Sequence, residues 1–180
     1  AVFPSDNAVP YEVGLYAFAP DCGLYFIVAL RDEEKEPWLT NLITSLGMTG
    51  VGGRISSGFG KFEVDDVILL NEPFDDQTET LFQGLKNTLS EHQLMLTSAL
   101  PDDEELQTVL KNASFQMVRR GGFVQSATYN SSPLKKRTQY FMSAGSVVKE
   151  RFSGNLFQVG EYGTHPVYRY GIPLFLGVDV

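Results

Sequence analysis

The apolar positions of this chain change period several times, and each change predicts a new element. Tyr11–Phe18 and Gly23–Leu30 read as strands separated by the turn signal Pro20-Asp21. The second is continuously apolar, the pattern of a strand buried on both faces. Acids from Asp32 to Glu36 and then Pro37 suit a helix's first turn. Trp38, Leu39, Leu42, Ile43 and Leu46 follow on one helical face, with Gly47 as the expected stop and core packing as the expected role. Residues 1–10, with Pro4 and Pro10, read as a lead-in loop.

After a glycine-rich stretch, Phe62–Leu70 reads as a strand, with Asp65-Asp66 marking a bulge. Asp76–Ser90 reads as a second helix carrying Leu81, Phe82, Leu85 and Leu89 on one side. Next come a strand at Leu94–Leu100, an acid-capped helix at Asp102–Lys111, and strands Phe115–Arg120 and Phe123–Tyr129 around Gly121-Gly122. Thr138–Val148, Asn155–Val159 and Pro166–Val178 complete a strand-rich tail. The fold class expected is α+β, and the element order allows split βαβ units of ferredoxin-like (RRM-like) type. A domain boundary is expected near Ser90, giving modules at 1–90 and 91–180.

Charge supports that boundary. The 180 residues sum to −8, yet residues 1–105 hold 19 acids and 5 bases, whereas 106–180 hold 9 bases and 3 acids. Lys111, Arg119, Arg120, Lys135, Lys136, Arg137, Lys149 and Arg151 face only Glu150 within 106–154. An acidic total argues against indiscriminate coating of nucleic acid, while leaving room for a local basic face. Solvated loops would explain the same charges. The lone Cys22 forms no intrachain disulfide and no cysteine zinc cluster, which points to a reducing, cytoplasmic compartment. No apolar run approaches the ~20 residues of a membrane helix.

The most informative segment is Gly50-Val51-Gly52-Gly53-Arg54-Ile55-Ser56-Ser57-Gly58-Phe59-Gly60-Lys61. Its glycines can bring backbone N–H groups close to a phosphate, Arg54 and Lys61 add charge, Ser56 and Ser57 add donors, and Phe59 offers a stacking surface. Neither common phosphate motif is present. A Walker A is excluded because Phe62 follows Gly60-Lys61 and Ile55 stands where its first glycine belongs. A dinucleotide fingerprint from Gly50 also finds Ile55 where it needs glycine. Moreover, the loop follows a helix and enters a strand, the reverse of both motifs. A flexible connection remains the alternative reading.

Residues 50–62 resemble the glycine-rich signature of the RAMP superfamily of CRISPR RNA-binding proteins, and more narrowly that of subunit four of the type III-A (Csm) effector complex. Gly23–Val28 resembles the strand before the loop helix, and His165–Phe175 resembles the C-terminal segment. The resemblance runs from about residue 11 to the end. It implies two ferredoxin-like modules and a subunit that holds the 5′ handle of the CRISPR RNA. It also implies contacts with the large Cas ten-type subunit and the RAMP backbone subunit. Carried onto this chain, the RNA-binding residues are Gly50, Gly52, Gly53, Arg54, Ser56, Ser57, Gly58, Phe59, Gly60 and Lys61. The family is longer, so its opening strand and helix are expected to precede residue 1, leaving the first module incomplete.

Arg119 and Arg120 are further RNA-binding candidates, with Lys135, Lys136 and Arg137 extending the same basic cluster or meeting an acidic partner. Gly121-Gly122 beside them suits close approach or a hairpin turn. The runs Asp32–Glu36 and Asp102–Glu105 read as helix-start charges. His92 and His165 are the only histidines. A metal-independent RAMP endoribonuclease would use one of them as general acid or base. No residue pattern calls for a metal or cofactor. The expectation is a non-catalytic RNA-binding subunit; a histidine ribonuclease and a purely structural subunit are the competing readings.

Overall fold

The computed structural model describes residues 12, 14–73, 75–124, 126, 128–160 and 162–179. The chain divides into two compact units, residues 1–37 and 38–180.

In the first unit the expected strands are absent among the described residues; the lead-in loop, Tyr11 and Val13 lie outside them. Cys22 N–H donates to Ala19 C=O at 3.1 Å, closing the Pro20-Asp21 turn. Asp32 caps a 3-10 turn at Glu33–Lys35 by accepting Glu34 N–H at 3.2 Å. Leu24, Tyr25 and Phe26 are 85%, 86% and 63% exposed, so the expectation of a buried central strand is corrected. An apolar run becomes a strand only where neighbouring chains accept its N–H and C=O groups. The described residues supply no such neighbour.

Helix α1 spans Glu36–Thr49 and passes through Gly47 rather than ending there. Gly47 is buried because Phe62 C=O comes to 2.3 Å from the position a Cβ would take. Leu39 and Ile43 share that inward row and are half-buried, whereas Trp38, Leu42 and Leu46 are exposed. Core packing therefore holds for one row of the apolar face and fails for the other. Phe62–Leu70 joins no ladder, so its expected strand and bulge are also corrected. Asp66 instead accepts Val67 N–H at 2.7 Å.

Helix α2 (Asp76–Lys86) is capped by Asp75, whose carboxylate accepts Thr78 N–H at 2.7 Å. It stops short of Ser90 because Asn87 turns its side chain onto Leu89 and Ser90 N–H, at 3.0 and 3.1 Å. Such local side-chain acceptors compete with the helical ladder.

Strand β1 (His92–Met95) is followed by helix α3 (Asp103–Leu110) and then β2 (Met117–Arg120), β3 (Gln139–Met142), β4 (Val147–Val148), β5 (Leu156–Gly160), β6 (Val167–Tyr170) and β7 (Phe175–Val178). All named ladders are antiparallel, in the groups β4-β1-β7, β2-β3 and β5-β6. The expected Leu94–Leu100 strand begins earlier, at His92, and ends at Met95; only Ala99 continues, as a bridge to Met142. The expected Pro166–Val178 strand breaks around Gly171–Leu174, where Pro173 has no N–H to give a ladder. Leu174 N–H there donates to Thr97 Oγ1 at 2.9 Å.

The core gathers Met95, Ala99, Val109, Met142, Val148, Phe152 and Phe175, with Phe152 edge-on to Phe175 at 5.3 Å. Gln93 is fully buried in β1 and needs partners to be tolerated there. Arg151 Nε donates to its Oε1 at 2.6 Å. The same guanidinium reaches Leu85 C=O at 2.7 Å and Asn87 C=O at 2.8 Å, satisfying carbonyls at the end of α2. One arginine thus fastens α2 to the central strand.

Candidate nucleic-acid interface

The glycine-rich segment folds as a closed loop leaving the end of α1. Gly50 N–H completes the last helical turn by donating to Leu46 C=O at 2.7 Å. A positive φ of 95° then turns the chain out, which favours glycine. Two rungs form the neck: Val51 N–H to Gly60 C=O at 2.9 Å and Phe62 N–H to Gly47 C=O at 3.2 Å. The tip is a 3-10 turn at Ile55–Ser57 ended by Gly58, with φ of 83°. Arg54 C=O accepts both Ser57 N–H (3.0 Å) and Phe59 N–H (3.3 Å).

The glycines therefore do different work. Gly47, Gly50 and Gly60 stand where a Cβ would strike backbone atoms within 3 Å, so they let the two sides of the neck approach. Gly52, Gly53 and Gly58 have nothing within 4 Å of a notional Cβ. Gly53 also lacks a positive φ, so neither conformation nor packing within the chain requires glycine there. Among the described residues, the N–H groups of Gly52 and Gly53 find no protein acceptor. Residues 51–61 are exposed throughout, including Arg54, Ser56, Ser57, Lys61 and Phe59. Such a surface offers free donors at positions where a ligand can reach the backbone.

Arg119 and Arg120 lie on β2, apart from the loop in sequence and element. In register, Arg119 opposes Tyr140 and Arg120 opposes Gln139 on β3. The sequence reading of Gly121-Gly122 as a possible hairpin turn is corrected. The chain runs straight past it, with Gly122 C=O accepting Lys136 N–H at 2.8 Å and Phe123 bridging Lys135. Between the Arg120–Gln139 and Phe123–Lys135 pairs one side advances three residues and the other four, the mark of a bulge. The expected strand Phe123–Tyr129 is limited to that bridge among its described residues; residues 125 and 127 lie outside them.

Sequence reading passed over Arg169 of β6. Its Nη1 donates to Arg120 C=O at 2.8 Å and approaches Gln139 Oε1 at 3.5 Å. Burial lowers its pKa from the ordinary guanidinium value, and the neighbouring Arg120 charge lowers it further. Arg137 turns instead to Gln158 C=O, with Nη2 at 2.9 Å. The only signal in the sequence was the alternation Tyr168-Arg169-Tyr170.

The histidines are not brought into one catalytic arrangement by any contact in the structure. His92 pairs with Val178 across the β1–β7 ladder, and His165, in an exposed turn, meets Tyr129 with the rings tilted and their centroids 5.1 Å apart. Among the described residues no group of three His, Cys, Asp or Glu side chains is placed to hold a metal ion. No helix among the described residues is long and apolar enough to cross a membrane.

Residues 88–178 match the family described as the CRISPR Csm4 C-terminal domain. The "CRISPR system Cms protein Csm4" of Mycobacterium tuberculosis is 38% identical over 173 residues, covering 96% of this chain and 52% of that protein. The protein of the same description from Streptococcus thermophilus is 31% identical over 178 residues, covering 98% and 55%. The chain thus spans about half the length of these relatives. Among solved structures, it resembles a chain from the crystal structure of the Csm3-Csm4 subcomplex in the type III-A CRISPR-Cas interference complex. The TM-score is 0.52 at 23% identity, over 84% of this chain and 42% of that one. That likeness shows the fold, an α+β architecture of ferredoxin-like type.

Proposed function

Because the chain belongs to the Csm4 family, we propose that it serves as a non-catalytic RNA-binding part of a type III-A CRISPR ribonucleoprotein in the cytoplasm, holding the 5′ handle of the CRISPR RNA. The observation that carries this reading is the closed loop whose residues 51–61 are exposed. Gly52 and Gly53 N–H groups there have no internal acceptor, and Gly53 has no internal reason to be glycine. Phosphate oxygens are the matching acceptors, since they take several N–H donors at once and reward close backbone approach. Arg54 and Lys61 add charge, Ser56 and Ser57 add hydroxyl donors, and Phe59, 39% exposed, offers a face for a base. Gly50, Gly58 and Gly60 give the loop its shape. Arg119 and Arg120 offer further cationic contacts on β2, apart from the loop.

The partners proposed are the RAMP backbone subunit and the large Cas ten-type subunit of the complex. The module boundary proposed lies near residue 90, with the loop in 1–90 and all the named antiparallel ladders in 91–180. Helix α2, fastened by Arg151, is the joint.

The test is binding of a 5′-handle RNA and a scrambled RNA by the full-length protein across a salt series, with Arg54→Glu alongside. Single-strand binding should fall with log salt at about −0.7 per phosphate neutralised. Handle-selective binding without cleavage, weakened by the substitution, is the expected result. Cleavage of the RNA in chelator, abolished by changing one histidine, would establish the ribonuclease instead. Unchanged affinity in the Arg54→Glu variant would leave the loop a connector.

A further inference from the structure

Sequence reading treated Arg119 and Arg120 as one pair, but β2 separates them. Successive strand residues face opposite sides, and directly opposed residues share a side. Arg119 therefore stands with Tyr140, and Arg120 stands with Gln139. Arg169 reaches the second side from another hairpin, with its Nη1 on Arg120 C=O at 2.8 Å and 3.5 Å from Gln139 Oε1. Its strand partner Phe157 meets Phe141 edge-on at 6.4 Å, which holds the two hairpins together.

Two guanidinium groups are thus gathered on one side of the β2–β3 hairpin. The acceptors that fix Arg169 are a carbonyl and an amide, which orient a cation without cancelling its charge. Among the described residues no carboxylate comes within 4 Å of either arginine. Left alone, the arrangement sets the Arg120 charge against that of Arg169. An anion with several planar-accessible oxygens relieves it, and a guanidinium fork matches phosphate in geometry.

We propose that Arg120 and Arg169 form a two-guanidinium clamp for a phosphodiester group of an RNA strand, separate from the glycine loop. The inference rests on the RNA-binding reading above. An RNA strand is the occupant because each guanidinium fork matches phosphate oxygens and the RNA-binding reading brings a phosphodiester chain to this protein. The exposed Tyr140, Tyr168 and Tyr170 of these hairpins face the opposite sides and take no part. Because the clamp reads phosphate, it does not discriminate sequence.

The experiment compares Arg120→Gln, Arg169→Gln, their double variant and Arg54→Glu in the full-length protein, using handle RNA and an unrelated RNA of equal length. Each single clamp variant should weaken binding of both RNAs about tenfold, and flatten the salt slope by about 0.7. The double variant should lose little more than either single one, because the two arginines act on the same group. Arg120→Gln should also melt at or above the wild-type temperature. It leaves the carbonyl that Arg169 uses and removes the opposing charge. This combination of lost affinity with intact folding is what a merely structural arginine would not produce.

Unchanged affinity and slope in Arg120→Gln, with Arg54→Glu still weakened, would overturn the clamp and leave the loop reading standing. Unchanged binding in all variants would overturn both. Poly-glutamate that displaces RNA from the wild type but not from Arg120→Gln would reassign the site to an acidic protein. Inorganic phosphate that stabilises the wild type over Arg120→Gln, with RNA affinity unaltered, would reassign it to a small anion.

Discussion

The carbonyl oxygen of Val51 lies 1.9 Å from where a Cβ on Gly60 would stand, while Val51 N–H donates to Gly60 C=O at 2.9 Å. Gly60 also has φ of 76°, so an added methyl meets both a clash and an unfavourable backbone region. The neck of the loop exists only because this residue is glycine.

Gly60→Ala should therefore open the neck, at a local cost of about 1–3 kcal/mol. Amide hydrogen exchange would show Val51 and Phe62 losing protection while the β1–β7 ladder keeps its own. Gly53→Ala makes the opposite prediction. With open space and no positive φ, it should fold and melt as the wild type does, yet weaken RNA binding if a phosphate approaches that backbone. Equal RNA affinity in Gly53→Ala would remove the close-approach argument.

Arg151→Ala should destabilise the protein by about 2–4 kcal/mol. It strands the fully buried Gln93 side chain and the carbonyls at the end of α2 together. Arg151→Lys should recover only part of that loss, since a single ammonium cannot span the acceptors the planar fork reaches. Urea unfolding of the three proteins measures the difference. A loss below about 0.5 kcal/mol for Arg151→Ala would refute the joint.

Glu105 predicts an acid-side dependence of stability. Its carboxylate accepts N–H donation from Asp102 at 3.1 Å, Ser153 at 2.7 Å and Gly154 at 3.3 Å. Burial acts to raise its pKa, but the donors from Ser153, Asp102 and Gly154 together hold it below the ordinary 4.5. A depressed folded pKa stabilises above the unfolded value, and the contribution is lost as pH falls through the folded one. Glu105→Ala should cost about 1 kcal/mol at neutral pH through the lost helix-start contacts. The gap to the wild type should narrow as the carboxyl protonates below 4.5, which thermal melts at a series of acid pH values would record.

Trp38 is the chain's single tryptophan and is 62% exposed on α1, with Leu42 and Leu46 a turn and two turns further along at 45% each. Its fluorescence in this 180-residue chain should be that of a solvated indole and be readily quenched by iodide. Leu46→Lys should change stability by no more than about 0.5 kcal/mol, as expected away from a packed core. Quenching-resistant emission would show that this face is covered.

Much of the architecture was legible because local chemistry dictates it. The acids before α1 and α3, the start of α2 at Asp76, the strand-rich tail and the unusual loop all follow from residue types at fixed short spacings. The errors have a common source. Gly23–Leu30 and Phe62–Leu70 carry strand-like runs, but a run does not say whether another strand lies beside it. Gly121-Gly122 reads as a turn from composition alone, although Lys136 and Lys135 pair with the chain on its far side.

By itself, the sequence determined the α+β class, the helix starts and the chemistry of residues 50–61, because propensity, capping and glycine freedom act within a few residues. Only the tertiary structure decided which glycines serve the neck and which face outward, and that Arg151 binds α2 to Gln93. It also decided that Arg120 keeps company with Arg169 rather than Arg119. These pairings join residues far apart in the chain. Their geometry follows from ladder register and packing, which no local window of sequence contains.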